Sequence, residues 1–207
     1  MRFRFASSGF LLGAASILVA VTGAQAADIQ KVVFAGGCFW CTEADFDKVD
    51  GVVETISGYA NGNIPNPTYE QVSRGGTGYV EVVEVTYDAE IVSYEELLEA
   101  YWPSIDPLDG DGQFCDQGDS YRPAIFYGND AQRMAAETSK ELVAEAHGLN
   151  GIGVAIEELN SFYPAEDYHQ DYYEKNPIRY NYYRWGCGRD ARLGEVWGET
   201  KRLSLFD

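Results

Sequence analysis

Apolar runs and amphipathic segments alternate along the first part of the chain. Residues 31–35 (KVVFA) form a short apolar run that ends at two glycines, which indicates a buried strand. The segment 38–49 begins with a cysteine and has apolar residues at helical spacing and acidic residues near its start, which predicts a helix. Residues 52–59 predict a second strand, and the Gly-, Asn- and Pro-rich residues 60–78 predict a long functional loop.

The following part of the chain continues the alternation of strands and helices. Residues 79–88 alternate glutamates with valines, as half-buried strands do. Ser93 and Glu96 have the spacing of a capping box, so we expect a helix that starts after Ser93 and ends before Pro103. The remaining predicted elements are a strand over 122–127, a helix over 129–147 and a strand over 154–158.

The order of these elements predicts the fold class. The series strand, helix, strand, strand, helix, strand is that of a ferredoxin-like βαββαβ core, so we expect an α/β chain of the two-layer α+β type. One more helix and strand follow this core. From residue 162 onward the chain is aromatic, charged and weakly periodic, and we expect a long irregular C-terminal tail that ends in a short amphipathic piece.

The N-terminal residues have the pattern of a cleaved secretory signal. Two arginines precede an apolar run over 10–21, and Ala-Gln-Ala at 24–26 forms a small-residue cleavage site. The apolar run is shorter than the roughly 20 residues of a membrane span. We therefore expect residues 1–26 to be removed and residues 27–207 to form a single catalytic domain. The mature chain is expected to be periplasmic or secreted, with no membrane attachment.

The charge balance limits the classes of partner. The chain has 15 Lys and Arg against 33 Asp and Glu, a net charge of −18, and loss of the two arginines of the signal makes it −20. A field of this sign repels phosphate backbones and anionic lipid. We expect a monomer that binds neither nucleic acid nor membrane.

Four cysteines remain after cleavage, namely Cys38, Cys41, Cys115 and Cys187. In an exported chain the first expectation is structural disulfides, although four cysteines are too few for a disulfide scaffold. A zinc site is disfavoured, because there is one Cys-x-x-Cys pair and neither His147 nor His169 lies at zinc-finger spacing from it. We expect no metal.

Cys38 meets the conditions for a reactive thiol. At the first turn of a helix, unpaired backbone N–H groups and the helix dipole stabilise a thiolate and lower its pKa. Gly36 and Gly37 before it let another molecule approach closely. From this placement alone, a buried or disulfide-bonded cysteine is an equally good interpretation.

The motif GGCFWC at 36–41 and five further segments share the sequence pattern of one enzyme family. The further segments are GYANGNIPNPTYEQV (58–72), GGTGYVEVVEVTYD (75–88), VSYEELL (92–98), FCDQGDSYRPAIF (114–126) and FYPAEDYHQDYYEKNP (162–177). The chain resembles the A-type peptide-methionine sulfoxide reductases. The resemblance implies reduction of methionine S-sulfoxide, free or in proteins, to methionine through a sulfenic acid and an intramolecular disulfide.

The resemblance also implies roles for individual residues. Cys38 would be the nucleophile, and Phe39 and Trp40 would form an apolar wall for the methyl group of the methylsulfinyl substrate. Glu81 corresponds to the family glutamate that can protonate the sulfoxide oxygen. Independently, Glu81 and Glu84 are three apart on one strand and cannot share a face, so one of them is expected to point inward.

Three further positions correspond to polar residues of the family's site. Tyr69 and Tyr121 match its two tyrosines, whose hydroxyls can bind the sulfoxide oxygen. Asp116 matches its aspartate in the second polar loop. The chain departs from the commoner pattern at Tyr79, where a histidine is frequent, and at Cys41, a position often held by glycine.

A second thiol must capture the sulfenic acid on Cys38. Cys187 is the first choice, because the family commonly uses a C-terminal cysteine and the glycines on both sides of Cys187 let it reach a helix start. Cys41 is the second choice, since Cys-x-x-Cys pairs form disulfides readily. Cys115 is third, and an inert loop thiol is an equal alternative for it. A thioredoxin-like reductant completes the cycle, and no cofactor is needed.

Two other functions remain open from the residues alone. The first is a generic exported thiol-disulfide oxidoreductase that uses Cys38-x-x-Cys41, which would reduce insulin and ignore methyl sulfoxides. The second is an acidic, aromatic-rich secreted binding module held by two disulfides, which would show no reactive thiol after mild reduction and reoxidation.

Overall fold

The computed structural model of the protein describes residues 27–200 and 202–206. The secretory signal predicted over 1–26 lies outside the described residues. Among the helices that are described, none combines the length and the apolar composition that crossing a membrane requires.

Strands and helices alternate over most of the described chain. The strands are β1 (Ile29–Ala35), β2 (Val52–Ala60), β3 (Val80–Asp88), β4 (Gly112–Gln113), β5 (Asp116–Gln117), β6 (Ala124–Tyr127), β7 (Ala155–Glu158) and β8 (Phe162–Pro164). The helices are α1 (Phe39–Phe46), α2 (Tyr69–Ser73), α3 (Tyr94–Tyr101), α4 (Asp130–His147), α5 (Tyr172–Lys175), α6 (Pro177–Gly186) and α7 (Arg189–Trp197).

The main sheet has the strand order β7-β6-β1-β3-β2-β8. Its four central strands, β6, β1, β3 and β2, are antiparallel neighbours, which is the arrangement of a ferredoxin-like unit. Helix α4 and strand β7 extend this core, with β7 parallel to β6. The predicted α+β fold with an added helix and strand is confirmed.

The segment after residue 162 is more regular than the sequence indicates. It contains strand β8, which pairs with β2, and the three helices α5, α6 and α7. Apolar residues lie on both sides of α6, since Tyr180 is buried whereas Ile178 and Trp185 are exposed. Such a helix has no simple apolar and polar period, so the sequence pattern does not reveal it. The expectation of an irregular tail is wrong for these residues.

Aromatic packing fixes the end of β1, from which the chain enters α1. The ring of Phe34 on β1 stacks on Phe46 with centroids 4.7 Å apart and on Tyr101 with centroids 5.0 Å apart. The Tyr101 hydroxyl donates a hydrogen bond to the carbonyl of Ala35 at 2.8 Å. Burial of a phenylalanine contributes roughly 1.5–3 kcal/mol. The turn at 36–37 therefore starts from a rigid strand end.

Candidate active site

Cys38 lies at the turn that leads from β1 into α1, as the N-cap of that helix. Its carbonyl accepts hydrogen bonds from the N–H groups of Cys41 (3.1 Å) and Thr42 (3.3 Å). Gly37 has φ of +84°, and a Cβ there would come within 2.6 Å of the Gln113 Cβ, so the turn requires glycine. Cys38 is a free thiol with an exposed fraction of 7%. The predicted helix start at this cysteine is confirmed.

The thiols of Cys38 and Cys41 lie close enough to each other to shift each other's pKa. Burial raises the pKa of the Cys38 thiol well above its usual value, and the contact with Cys41 adds to the rise. The hydrogen bond from Cys38 and the charges of Arg189 and Arg184 lower the pKa of Cys41 to about 7. Burial opposes the lowering that the helix start is expected to give the pKa of Cys38, and within the thiol pair the lowered pKa is that of Cys41.

Two arginines from the C-terminal helices provide the positive charge near Cys41. Arg189 is buried, and its guanidinium donates a hydrogen bond to the carbonyl of Gly36 at 3.0 Å. Arg184 donates to the carboxylate of Asp45 on α1, also at 3.0 Å. Neither arginine is marked by the sequence, because nothing in the local pattern distinguishes a buried arginine from an exposed one.

Glu81 of β3 lies beside the start of α1. Its side chain has an exposed fraction of 1%, and its Oε2 accepts a hydrogen bond from the backbone N–H of Phe39 at 3.1 Å. Burial raises the pKa of Glu81 to about 8, so this carboxyl holds a proton at neutral pH and can donate it. Glu84 points to the opposite face of the sheet and pairs with Lys31 at 2.5 Å. The prediction that one of the two glutamates faces inward is confirmed.

The side chains of Tyr69 and Tyr121 lie close to each other and to Glu81 and Cys38. Burial and the charge of Glu81 raise the pKa of Tyr69 to about 12, and they also raise that of Tyr121. Both hydroxyls therefore remain protonated and can donate hydrogen bonds. Glu166 holds Tyr69 in place by accepting a hydrogen bond from its backbone N–H at 2.9 Å.

Asp116 is connected to Cys38 through a tyrosine that the sequence analysis missed. The hydroxyl of Tyr183 on α6 donates a hydrogen bond to Asp116, and it lies close enough to the Cys38 thiol to affect its pKa. Burial raises the pKa of Asp116 above its usual value. Tyr183 is one of 15 tyrosines, and no spacing marks it as different from the others.

Phe39 and Trp40 both lie next to Cys38, but their surroundings differ. Phe39 is fully buried and packs against His169, with ring centroids 4.9 Å apart. Trp40 is half-buried and stacks on Tyr172 with centroids 3.7 Å apart. Phe39 belongs to the hydrophobic core and Trp40 packs against it. Their role as an apolar wall for the substrate methyl group stays a prediction.

His169 is a further buried residue of this site that the sequence analysis did not identify. Its Nδ1 accepts a hydrogen bond from the indole N–H of Trp40 at 3.0 Å. Burial lowers the pKa of His169 to about 4, so the imidazole is neutral at neutral pH. Its proton then lies on Nε2, which has no hydrogen-bond partner among the described residues.

Cys187 is joined to Cys115 by a disulfide. The free thiol beside Cys38 is Cys41. The choice of Cys187 as the resolving cysteine stays a prediction. Cys115 is not the inert loop thiol considered as an alternative. The bonded sulfurs and a carboxylate oxygen of Asp116 lie within 4.8 Å of one another, but zinc binds thiolates and not disulfide sulfurs.

Comparison with known proteins decides the family. The model of the family described as "Peptide methionine sulfoxide reductase" matches residues 30–201. The chain belongs to the peptide methionine sulfoxide reductase family. The function expected from the sequence, reduction of methionine sulfoxide by a thiol enzyme, is thereby confirmed.

Individual reductases of this family are similar to the chain over most of its length. The peptide methionine sulfoxide reductase MsrA 2 of Rhizobium meliloti is 52% identical over 176 residues, which cover 85% of this chain and 87% of that protein. The MsrA/MsrB protein of Vibrio cholerae is 50% identical over 84% of this chain, which spans only 47% of that longer protein. The reduced form of Mxr1 from Saccharomyces cerevisiae has a TM-score of 0.69 at 34% identity, covering 72% of this chain and 87% of that one.

Proposed function

We propose that the chain reduces the S epimer of methionine sulfoxide, free and in proteins, with Cys38 as the nucleophile and Glu81 as the proton donor. One observation supports this most directly. The Glu81 carboxyl is buried at the N–H of Phe39, the residue that follows Cys38. A carboxyl whose pKa is raised to about 8 keeps its proton at neutral pH, whereas an ordinary glutamate does not.

The first step transfers the sulfoxide oxygen to Cys38. Cys38 passes its proton to the Cys41 thiolate, and its sulfur attacks the sulfur of the sulfoxide. Glu81 protonates the oxygen as negative charge develops there, while the hydroxyls of Tyr69 and Tyr121 bind it. The hydroxyl group then passes from the substrate sulfur to the Cys38 sulfur as the bond between the two sulfurs breaks. Methionine leaves, and Cys38 carries a sulfenic acid.

Other residues near the thiol bind the substrate or hold the nucleophile. The methyl group of the substrate packs against Trp40, with Phe39 behind it. Asp116 fixes the hydroxyl of Tyr183, which lies close to the Cys38 thiol. We assign Asp116 and Tyr183 to positioning the thiol.

The second step forms a disulfide between Cys38 and Cys41. The Cys41 sulfur attacks the sulfenic acid sulfur and the S–O bond breaks. The proton that Cys41 took up in the first step goes to the departing oxygen, which leaves as water. We assign this step to Cys41 and not to Cys187, because Cys41 lies in the first turn of the same helix and contacts Cys38, whereas Cys187 is bonded to Cys115.

A thioredoxin-type protein then returns the enzyme to its thiol form. A solved structure of yeast Mxr1 in complex with Trx2 is similar to this chain, with a TM-score of 0.51 at 25% identity over 73% of this chain and 91% of that one. The two thiols of the reductant supply the two electrons and two protons of each cycle, and the oxygen leaves as water. The cycle therefore requires neither a metal nor an organic cofactor.

We also propose that residues 1–26 direct export and are removed, so that the mature enzyme is a periplasmic or secreted monomer beginning at Ala27. The support is the charged, apolar and small-residue order of those positions. Its reductant must then be exported as well.

An assay of the purified mature protein on both epimers tests the proposed function. With dithiothreitol as reductant, a peptide that contains methionine S-sulfoxide is expected to be converted to the methionine peptide, and the R epimer is not. Product is measured by chromatography. A protein that reduces insulin but neither epimer would be the generic thiol-disulfide oxidoreductase instead.

Replacing Cys41 with serine is expected to leave Cys38 trapped as a sulfenic acid. Steady-state turnover with thioredoxin falls at least about 100-fold, because the resolving thiol is gone. A single methionine per chain still forms, and dimedone labels Cys38, as detected by mass spectrometry. Cys187→Ser is the matched variant and should not accumulate the sulfenic acid. Dimedone labelling in Cys187→Ser but not in Cys41→Ser would identify Cys187 as the resolving thiol.

A further inference from the structure

Met134 is the one methionine of this chain outside the predicted signal. The chain has two methionines, and the other is Met1. Met134 is the fifth residue of α4, and its exposed fraction is 56%. A hydroperoxide can therefore reach the thioether without any unfolding and oxidise it to the sulfoxide, which is the chemical group that the proposed function reduces.

The helical surface around Met134 is polar and open. Its neighbours one turn away are Asp130 and Ala131 on one side and Glu137 and Thr138 on the other, and all four are exposed. The residues with which α4 packs against the core lie on the opposite face of the helix. Oxidation of Met134 thus adds a polar oxygen at a surface that faces water, and it disturbs no buried contact.

Met134 lies far from the nucleophile of its own chain. The side-chain amide of Gln132 donates a hydrogen bond to the carbonyl of Lys31 at 3.1 Å, which places this part of α4 beside the start of β1. Cys38 follows the other end of that strand. At about 3.3 Å per residue, the stretch from Lys31 to Ala35 alone spans roughly 13 Å. A methionine side chain is too short to cover that distance, so its sulfur cannot reach Cys38 in the same folded chain.

The position of Met134 near a helix end lets it enter the site of another molecule. Cys38 has an exposed fraction of 7%, so a substrate sulfur must enter a recess to reach it. The start of α4 is held by water-exposed hydrogen bonds, in which Asn129 accepts from the N–H of Gln132 at 2.9 Å and Gln132 accepts from that of Gly128 at 2.7 Å. Helix ends of this kind open readily, and opening of the first turns presents Met134 on an extended segment.

We propose that Met134 is a substrate of this enzyme: hydroperoxides oxidise it, and Cys38 of a second copy of the chain reduces it. The inference rests on the proposed function, because the reduction uses the same thiol chemistry. The partner is another molecule of the enzyme, met in a transient encounter in which one side chain enters the site. A stable dimer is not required.

Oxidation and reduction of Met134 form a closed cycle. The thioether sulfur attacks the outer oxygen of the hydroperoxide, the O–O bond breaks, and the rest leaves as an alcohol, or as water from hydrogen peroxide. The sulfur has then lost two electrons. Cys38 of the second copy removes the oxygen of the S epimer by the steps given above, water leaves, and the dithiol reductant supplies two electrons and two protons. Each cycle consumes one hydroperoxide and one dithiol and restores Met134, whereas the R epimer accumulates.

A mixture of two forms of the mature chain tests the inference. Cys38→Ser is treated with hydrogen peroxide, which is then removed, so that it carries a sulfoxide at Met134 that it cannot reduce. A catalytic amount of the natural chain is added with dithiothreitol and a short peptide that contains methionine S-sulfoxide. Trypsin cleaves after Arg133 and Lys140, and the mass of the released peptide 134–140 reports the oxygen on Met134.

About half of the Met134 sulfoxide, the S epimer, is expected to lose its oxygen, and none does so when the natural chain is omitted. In the Cys38→Ser, Met134→Leu double variant, the peptide 134–140 takes up no oxygen. Reduction of the short peptide with the Met134 sulfoxide left intact would overturn the inference. Reduction of neither would contradict the proposed function instead.

Dependence on protein concentration separates reduction by a second copy from reduction within one chain. The natural chain is oxidised while its thiols are blocked as mixed disulfides, and dithiothreitol then frees the thiols and starts the reaction. Below saturation, the apparent rate constant for loss of the Met134 sulfoxide is expected to rise about tenfold when the protein is ten times more concentrated. A rate constant that does not depend on concentration would overturn reduction by a second copy.

Discussion

Replacing Cys38 with serine is expected to reduce the turnover of methionine S-sulfoxide to background, a loss of at least about 10⁴-fold. A serine hydroxyl is a far weaker nucleophile than a thiolate, and it forms neither a sulfenic acid nor a disulfide. The measurement is methionine formed per chain with dithiothreitol as reductant, which does not depend on a partner protein.

The fold provides the control for this variant. Cys38 is the N-cap of α1, a position at which serine is favoured, so Cys38→Ser should fold as the natural chain does. An unchanged circular dichroism spectrum and an intact Cys115–Cys187 disulfide would verify this. A correctly folded Cys38→Ser protein that still turns over the sulfoxide would remove Cys38 as the nucleophile.

Replacing Glu81 with glutamine is expected to lower kcat/KM by about 10²–10⁴-fold at pH 7, the usual contribution of a general acid. Glutamine keeps a carbonyl oxygen that can accept the hydrogen bond from the Phe39 N–H, so the start of α1 is preserved. What the variant loses is the proton. Glu84→Gln, on the same strand but the opposite face, is the matched control and should keep full activity. Equal rates for the natural chain and Glu81→Gln would contradict the proposed role.

The pH profile separates proton donation from simple hydrogen bonding. The thiol pair must have lost one proton, and the pKa of Cys41 is lowered to about 7, so kcat/KM rises as the pH passes through about 7. Glu81 must hold its proton, and its pKa is raised to about 8, so kcat/KM falls as the pH passes through about 8. Glu81→Gln should keep the rise and lose the fall. A profile of the natural chain that stays level above pH 8 would exclude Glu81 as the acid.

Features that depend on neighbours in the chain were predictable. The capping box at Ser93 forms as expected, with its Oγ accepting from the Glu96 N–H at 3.1 Å and the Glu96 carboxylate accepting from the Ser93 N–H at 2.8 Å. The start of α1 at Cys38 and the opposite faces of Glu81 and Glu84 follow in the same way from helical and strand periods. Each of these depends on residues no more than four positions apart.

Features that join distant parts of the chain were not predictable. Tyr183 and Arg189 reach the turn at Cys38 from the other end of the chain, and no local pattern marks them. The pairing of Cys115 with Cys187 spans 72 residues. The family resemblance identifies site positions but does not indicate these contacts.

The sequence by itself determined the order of the elements, the family, and the position of the nucleophile at a helix start, because periodicity, capping and motif spacing are properties of the chain alone. The tertiary structure alone decided which thiol contacts Cys38 and which groups near it hold a proton. A pKa depends on desolvation and on charges brought together through space. Burial therefore raises the pKa of Glu81, and within the thiol pair the interaction with Cys38 lowers the pKa of Cys41.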